Sequence, residues 1–139
     1  VLLVAGEGPA RPWLEGRGVR CLGYVDEAHK VGWYRACDVF LSTSRREGFE
    51  FTVGEAMSTG VPVVTSDAGS LPELVGEAGI LCRTVEDYVS ALRLLIDEPL
   101  VRQMFGKAGR ERIDQQFRWD RCVKETLAVY EDAIRECRR

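Results

Sequence analysis

The chain of 139 residues contains no run of about 18 apolar residues, so no segment reads as a membrane-spanning helix. No secretory leader pattern opens it. An excess of one charge is also lacking. Nineteen basic residues stand against 22 acidic ones, a net charge of −3, which favours neither nucleic acid nor an anionic membrane as a general partner. Residues 1–82 carry 7 basic and 11 acidic groups and residues 83–139 carry 12 and 11, so the tail is balanced and is not a basic arm. There is one histidine, His29, and the five cysteines are scattered with no C-x-x-C spacing. A metal site or disulfide framework is therefore weakly supported, and buried, reduced thiols in a cytosolic protein are expected. Internal repeats, low-complexity tracts and flexible linkers are absent as well.

What is there is ordinary in bulk. With 45% hydrophobic and 29% charged residues, the composition is that of a soluble globular protein, one domain or part of one. Apolar runs at residues 1–5, 19–22, 39–41, 61–64 and 80–81 read as strands. Between them lie helix-like segments at residues 12–15, 27–37, 51–59 and 71–75. Continuous apolar strands separated by helices predict a parallel sheet covered on both faces. From Thr84 the chain turns helical. Val85, Tyr88, Val89, Leu92, Leu95 and Ile96 fall on one stripe, and Thr84 with Asp87 makes a capping-box start. Pro99 suits the first turn of a helix over 99–115. A last helix over 119–137 places Val123, Leu127, Tyr130 and Ile134 on one face. The expected organisation is one domain over 1–139, with an α/β part (1–82) and a helical tail (83–139). Because the chain opens directly in a core-like strand, material on its amino side is expected to be missing.

The most informative stretch is residues 47–73, EGFEFTVGEAMSTGVPVVTSDAGSLPE. It places Glu47 and Glu55 eight positions apart where a strand's carboxyl end meets a helix amino end. In open α/β sheets that is where ligands bind. A helix start offers free backbone N–H groups and a positive dipole end, which suit a diphosphate. A carboxylate there is useful only as a hydroxyl acceptor, as for a sugar or ribose. The pair therefore points to a ligand rich in both phosphate and hydroxyl. Gly48 suits close approach of backbone to a ligand.

Each feature also has a plainer reading. Glu55 could lie on a solvated helix face, and Glu47 could complement a helix dipole. Position favours function for both. Gly6-x-Gly8 after a strand, with Asp26 twenty positions on, has part of a dinucleotide fingerprint, but Arg11 occupies the third glycine position. It reads as a tight turn near a ligand, not as a nicotinamide site. Ser70-Leu71-Pro72-Glu73 reads as a capping box. His29 reads as a solvated helix residue, and Trp119 after Phe117 as packing at a helix start. Arg45 and Arg46 either meet phosphate or are solvated, with nothing to separate the two.

These residues, taken in order, resemble the donor-binding carboxyl-terminal half of retaining GT-B glycosyltransferases, the family 4-like group of glycosyl transferases group 1. The matching pieces are Val4-Ala5-Gly6-Glu7-Gly8-Pro9, Leu22-Gly23-Tyr24-Val25, Ala36-Cys37-Asp38-Val39-Phe40-Leu41 and Ser44-x-x-Glu47-Gly48-Phe49. Glu55-Ala56-Met57, Gly60-Val61-Pro62-Val63-Val64, Leu71-Pro72-Glu73, Gly79-Ile80-Leu81 and Phe117-Arg118-Trp119 follow. The resemblance implies a Rossmann-like domain facing a second domain, with a nucleotide sugar, UDP- or GDP-linked, between them. It implies that Glu55 binds the ribose hydroxyls and that Glu47 faces the transferred sugar. Backbone amides over Gly48, Phe49, Glu50, Phe51 and Thr52 meet sugar and diphosphate. Gly6 and the loop ending at Val25 lie near the donor, the latter near its base. Transfer with retention, no cofactor and no divalent metal are implied too. So is a cytoplasmic location, peripheral at the inner membrane face where the missing half binds a lipid acceptor.

Two departures stand out. Glu50 is found where many members have glycine, and Thr43 where proline is common. Glu50 adds a carboxylate near the diphosphate, or points away from it. The resemblance further implies that the domain's first strand, with its basic residues, and the whole acceptor domain lie outside this sequence, so the 139 residues alone are expected not to turn over substrate. Two other readings stay open: a non-catalytic nucleotide-sugar-binding module, and a GT-B sugar-nucleotide epimerase.

Overall fold

The computed structural model describes residues 1–16, 18–46 and 48–137. It forms two compact units, Val1–Trp33 and Tyr34–Arg139. In the first, β1 (Leu2–Ala5), α1 (Arg11–Leu14) and β2 (Val19–Gly23) precede α2 (Glu27–Ala36), within which the boundary falls. β1 and β2 are parallel, with Leu2 opposite Val19 and Val4 opposite Cys21. The register shifts after Val4, and the Gly6 amide then donates to the Gly23 carbonyl at 2.7 Å. Gly6 stands at φ +107°, a conformation that only glycine adopts readily.

The second unit contains β3 (Phe40–Leu41), α3 (Phe51–Ser58), β4 (Val63–Ser66), α4 (Leu71–Val75) and β5 (Ile80–Cys82), followed by α5 (Val85–Asp97), α6 (Pro99–Gln116) and α7 (Trp119–Cys137). Its strands pair in the order β3-β4-β5, all parallel, with Leu41 opposite Val64 and Val64 opposite Ile80. Successive residues of a strand point to opposite faces. Val63 joins a core with Val53, Ala56 and Met57 of α3 and Leu71, Leu74 and Val75 of α4. Val64 joins a second core with Cys82 and with Ala91 and Leu95 of α5. Both valines are fully buried, so this sheet is covered on both faces, as an apolar strand without alternation requires. The architecture is the α/β arrangement expected: parallel strands flanked by helices, with a helical tail. Among the described residues, β1 and β2 pair as one sheet and β3, β4 and β5 as another.

Several local expectations are corrected. β4 starts at Val63, not at residue 61, because the Val61 amide is still tied back to α3, donating to the Ala56 carbonyl at 3.3 Å, and Pro62 has no N–H to give the ladder. The capping box at Ser70 does not form. Ser70 already has helical backbone (φ −85°, ψ −4°), so its side chain is not aimed at the first-turn amides, and its buried Oγ has no hydrogen-bond partner. In α5 the buried stripe is Ala91 and Leu95, with Tyr88 and Leu92 half-buried, while Val85, Val89 and Ile96 are exposed at its margins. Trp119 is exposed and does not pack, whereas Phe117 is half-buried under the Arg112 guanidinium. Cys122 and Cys137 are exposed, so burial holds only for Cys82 and in part for Cys21 and Cys37. The capping box at Thr84 forms in full.

Candidate functional site

The site is built outward from the carboxyl end of β3. The Ser42 amide extends the ladder by donating to the Val64 carbonyl at 3.0 Å. The chain then runs through a loop to Glu50, the residue before α3. Glu50 has φ −90° and ψ 89°, and no side chain caps the helix. The Glu50 carbonyl already accepts from Val53 at 3.2 Å, closing the first turn. The amides of Phe51 and Thr52 point out of the helix start, where the backbone supplies no intrahelical acceptor and the dipole is positive. The arrangement suits an anion.

Glu55 follows one turn later and is half-buried. The Tyr34 hydroxyl donates to its Oε2 at 2.8 Å. Tyr34, in the last turn of α2, is only 7% exposed, and its ring packs edge-on against Phe40 with centroids 5.6 Å apart. The carboxylate is thus held by a buried phenol from a neighbouring helix. The carboxylate is therefore fixed in place and is not that of a fully solvated surface glutamate. Tyr34 reads in the sequence as a core residue of α2, and nothing in its spacing announces a hydrogen bond across 21 positions.

Glu50 behaves differently from an open-loop carboxylate. Ser42 Oγ donates to its Oε1 at 2.7 Å and lies 2.9 Å from its Oε2, and Thr52 Oγ1 donates to Oε1 at 3.3 Å. The Ser42 carbonyl accepts from the Tyr88 hydroxyl of α5 at 3.2 Å, and Ser66 Oγ donates to the Ser44 carbonyl. Burial pushes the Tyr88 phenol up. None of this network is readable from sequence beyond the hydroxyls' presence, since it joins four separate elements.

Phe49 and Phe51 are exposed, and their rings meet edge to face with centroids 5.1 Å apart. A side chain added at Gly48 would meet nothing within 4 Å, so the backbone there is open to approach. Thr52, Arg45 and Arg46 are exposed. Glu47 lies outside the described residues. Gly6 and Val25 belong to the first unit, where they follow the carboxyl ends of β1 and β2. Val25 lines a cleft of about 340 Å³ with Tyr24, Asp26, His29 and Trp33 among its other walls. The described residues lining that cleft all belong to the first unit. His29 is exposed, as expected, but it has a carboxylate partner: Asp26 accepts from its ring at 2.7 Å and from its amide at 2.9 Å. Those bonds hold the Asp26 carboxyl below its ordinary range. Among the described residues no cluster of three histidine, cysteine or acidic groups could hold a metal ion, and no helix is long and apolar enough to cross a membrane.

The chain is thus a parallel α/β protein in which a helix without a side-chain cap starts beyond the carboxyl end of a strand, the place where open α/β sheets bind ligands. The sequence profile described as glycosyl transferases group 1 matches residues 1–98, and the chain belongs to that family. A glycogen synthase of Mycobacterium tuberculosis is 32% identical over 141 aligned positions, which span 93% of this chain and 34% of the relative. The structure of a sucrose-phosphate synthase from Thermosynechococcus elongatus superposes with a TM-score of 0.83 at 25% identity, over 97% of this chain and 39% of that one. Anabaena HepE in complex with UDP-glucose gives a TM-score of 0.70 at 28% identity, over 86% of this chain and 34% of that one. The chain therefore spans about a third of the length of the relatives it matches.

Proposed function

We propose that this chain is the donor-binding part of a retaining glycosyltransferase, which transfers a sugar from a nucleotide diphosphate sugar to an acceptor hydroxyl. The observation that carries the reading is the pairing of the uncapped start of α3 with Glu55, fixed by Tyr34. Diphosphate needs donors and positive potential, and the helix start offers both. Ribose needs hydroxyl acceptors, and Glu55 is one. In this reading the amides of residues 48–52 take up charge that develops on the leaving diphosphate as the glycosidic bond breaks. Glu47 faces the transferred sugar. Neither a cofactor nor a divalent metal takes part. Gly6 and Val25 are assigned to the donor by the family resemblance. The acceptor is bound by a part of the whole protein outside these 139 residues, and any membrane contact would be made there. HepE, crystallised with UDP-glucose, supports the ligand class.

Calorimetric titration of UDP-, GDP- and ADP-sugars into the full-length protein tests this. One nucleotide class is expected to bind, with affinity falling about a hundredfold in Glu55→Ala, the loss that follows when two hydroxyl bonds to a charged group are removed. Absence of nucleotide-sugar binding by the folded protein would overturn the proposal.

A further inference from the structure

We propose that Glu50 is a positioning residue: its carboxylate, bound to Ser42, ties the start of α3 to the end of β3 and so holds the Phe51 and Thr52 amides where a diphosphate is received. The inference rests on the donor-binding reading and specifies how the anion half of that site is kept in place.

Glu50 stands where a helix-capping side chain would normally act, yet α3 has no side-chain cap. A short Ser, Thr or Asp would fold back onto the first-turn amides and occupy them. Glu50 instead makes no cap bond, and its carboxylate accepts from the Ser42 hydroxyl, with contacts of 2.7 and 2.9 Å. Ser42 is a rigid anchor. It is only 6% exposed, its amide is in the β3–β4 ladder, and its carbonyl accepts from Tyr88. Thr52 Oγ1 closes the same carboxylate from the helix side. The result is a short chord between two residues eight positions apart, one just beyond the end of β3 and one at the helix start. Such a chord removes conformational freedom that an anion would otherwise have to remove on binding. It also engages the carboxylate's own charge with hydroxyls, so that it opposes a bound diphosphate less than an unengaged carboxylate would. The Glu50 backbone lies in a region open to any residue, so the side chain, not the backbone conformation, is what this position contributes.

The test is a double-mutant cycle in the full-length protein, read by nucleotide-diphosphate Kd, by donor KM and kcat, and by thermal midpoint. Glu50→Ala and Ser42→Ala are each expected to weaken nucleotide binding about tenfold, the effect of one hydrogen bond to a charged group, and the double variant no further. Glu50→Gln retains an amide oxygen that accepts from Ser42, so its affinity is expected to stay within about threefold of the parent. Because the same amides take up charge that develops on the leaving diphosphate, kcat is expected to fall together with the losses in Kd and KM. A loss in Glu50→Ala with none in Ser42→Ala would overturn the proposal in favour of direct contact between Glu50 and the donor. A lower midpoint with unchanged Kd in both would reduce the pair to a structural bond. If Ser42→Ala does not fold, equal losses in Glu50→Gln and Glu50→Ala overturn it alone. Unchanged affinity in Glu55→Ala, by contrast, sinks the donor-binding reading itself.

Discussion

Alanine at Gly106 should damage this domain, while alanine at Gly109, one turn away on the same helix, should not. α6 crosses the turn after α3 at backbone contact. A Cβ at Gly106 would stand 2.2 Å from the Gly60 carbonyl oxygen and 3.1 Å from its carbon. That is more than an ångström inside ordinary contact, and the obstacle is backbone, which has no rotamer to change. The cost belongs at the upper end for overpacking, about 3 kcal/mol. Alanine recovers about 1 kcal/mol of helix propensity, which leaves a net loss of about 2 kcal/mol. At Gly109 the nearest atoms, of Ala78 and Met57, lie at 3.6 Å, so only the propensity gain remains. The two variants should therefore differ by about 3 kcal/mol, with opposite signs relative to the parent. Urea unfolding midpoints of the full-length protein and both variants, followed through the transition of this domain, give the comparison. Because α6 also packs on α3, Gly106→Ala should weaken nucleotide binding with stability. Equal midpoints for the two variants would refute the packing of α6 on Gly60.

Tyr34→Phe keeps the ring against Phe40 and removes only the hydroxyl that Glu55 accepts. Nucleotide affinity is expected to fall about tenfold, and a 2′,3′-dideoxy nucleotide, lacking the hydroxyls, should lose little. Equal loss for both ligands would count against Glu55 as the ribose acceptor. The capping box of α5 gives a pH-linked prediction. Asp87 is held below its ordinary range by the backbone amides of Arg83 and Thr84. A depressed carboxylate stabilises the fold fully above its unfolded value, about 3.9, and that contribution is lost as pH falls through the lower folded value. Asp87→Asn should flatten the acid limb of stability below about pH 4, seen in midpoints across pH 2–6. Thr84→Ala should cost about 1 kcal/mol at neutral pH in the same assay.

Much of this protein was decided by local sequence. The Thr84–Asp87 pair makes a capping box because both of its bonds close within four residues, and α5 starts where that spacing places it. β4 is apolar on both faces, and its sequence alone implied a sheet buried between helix layers. The glutamates at 47 and 55 read in the sequence as a strand-to-helix junction; α3 does start at Phe51, and Glu55 lies one turn into it, half-buried. Local pattern failed where a distant group intervened or where backbone geometry overrode side-chain type. Ser70 has the right residue for a cap and the wrong backbone angles. Trp119 is large and apolar but is exposed at the start of α7. What Glu50 does could not be read at all. An acidic residue beside an anion site is ambiguous until Ser42, eight positions away and itself held by Tyr88 of another helix, is seen to engage it. The same holds for Tyr34 and Glu55, joined across 21 positions. Periodicity and capping report interactions within a turn or two of the chain; the hydrogen bonds that place the candidate site's carboxylates span separate elements, and only packing of those elements brings donor and acceptor together.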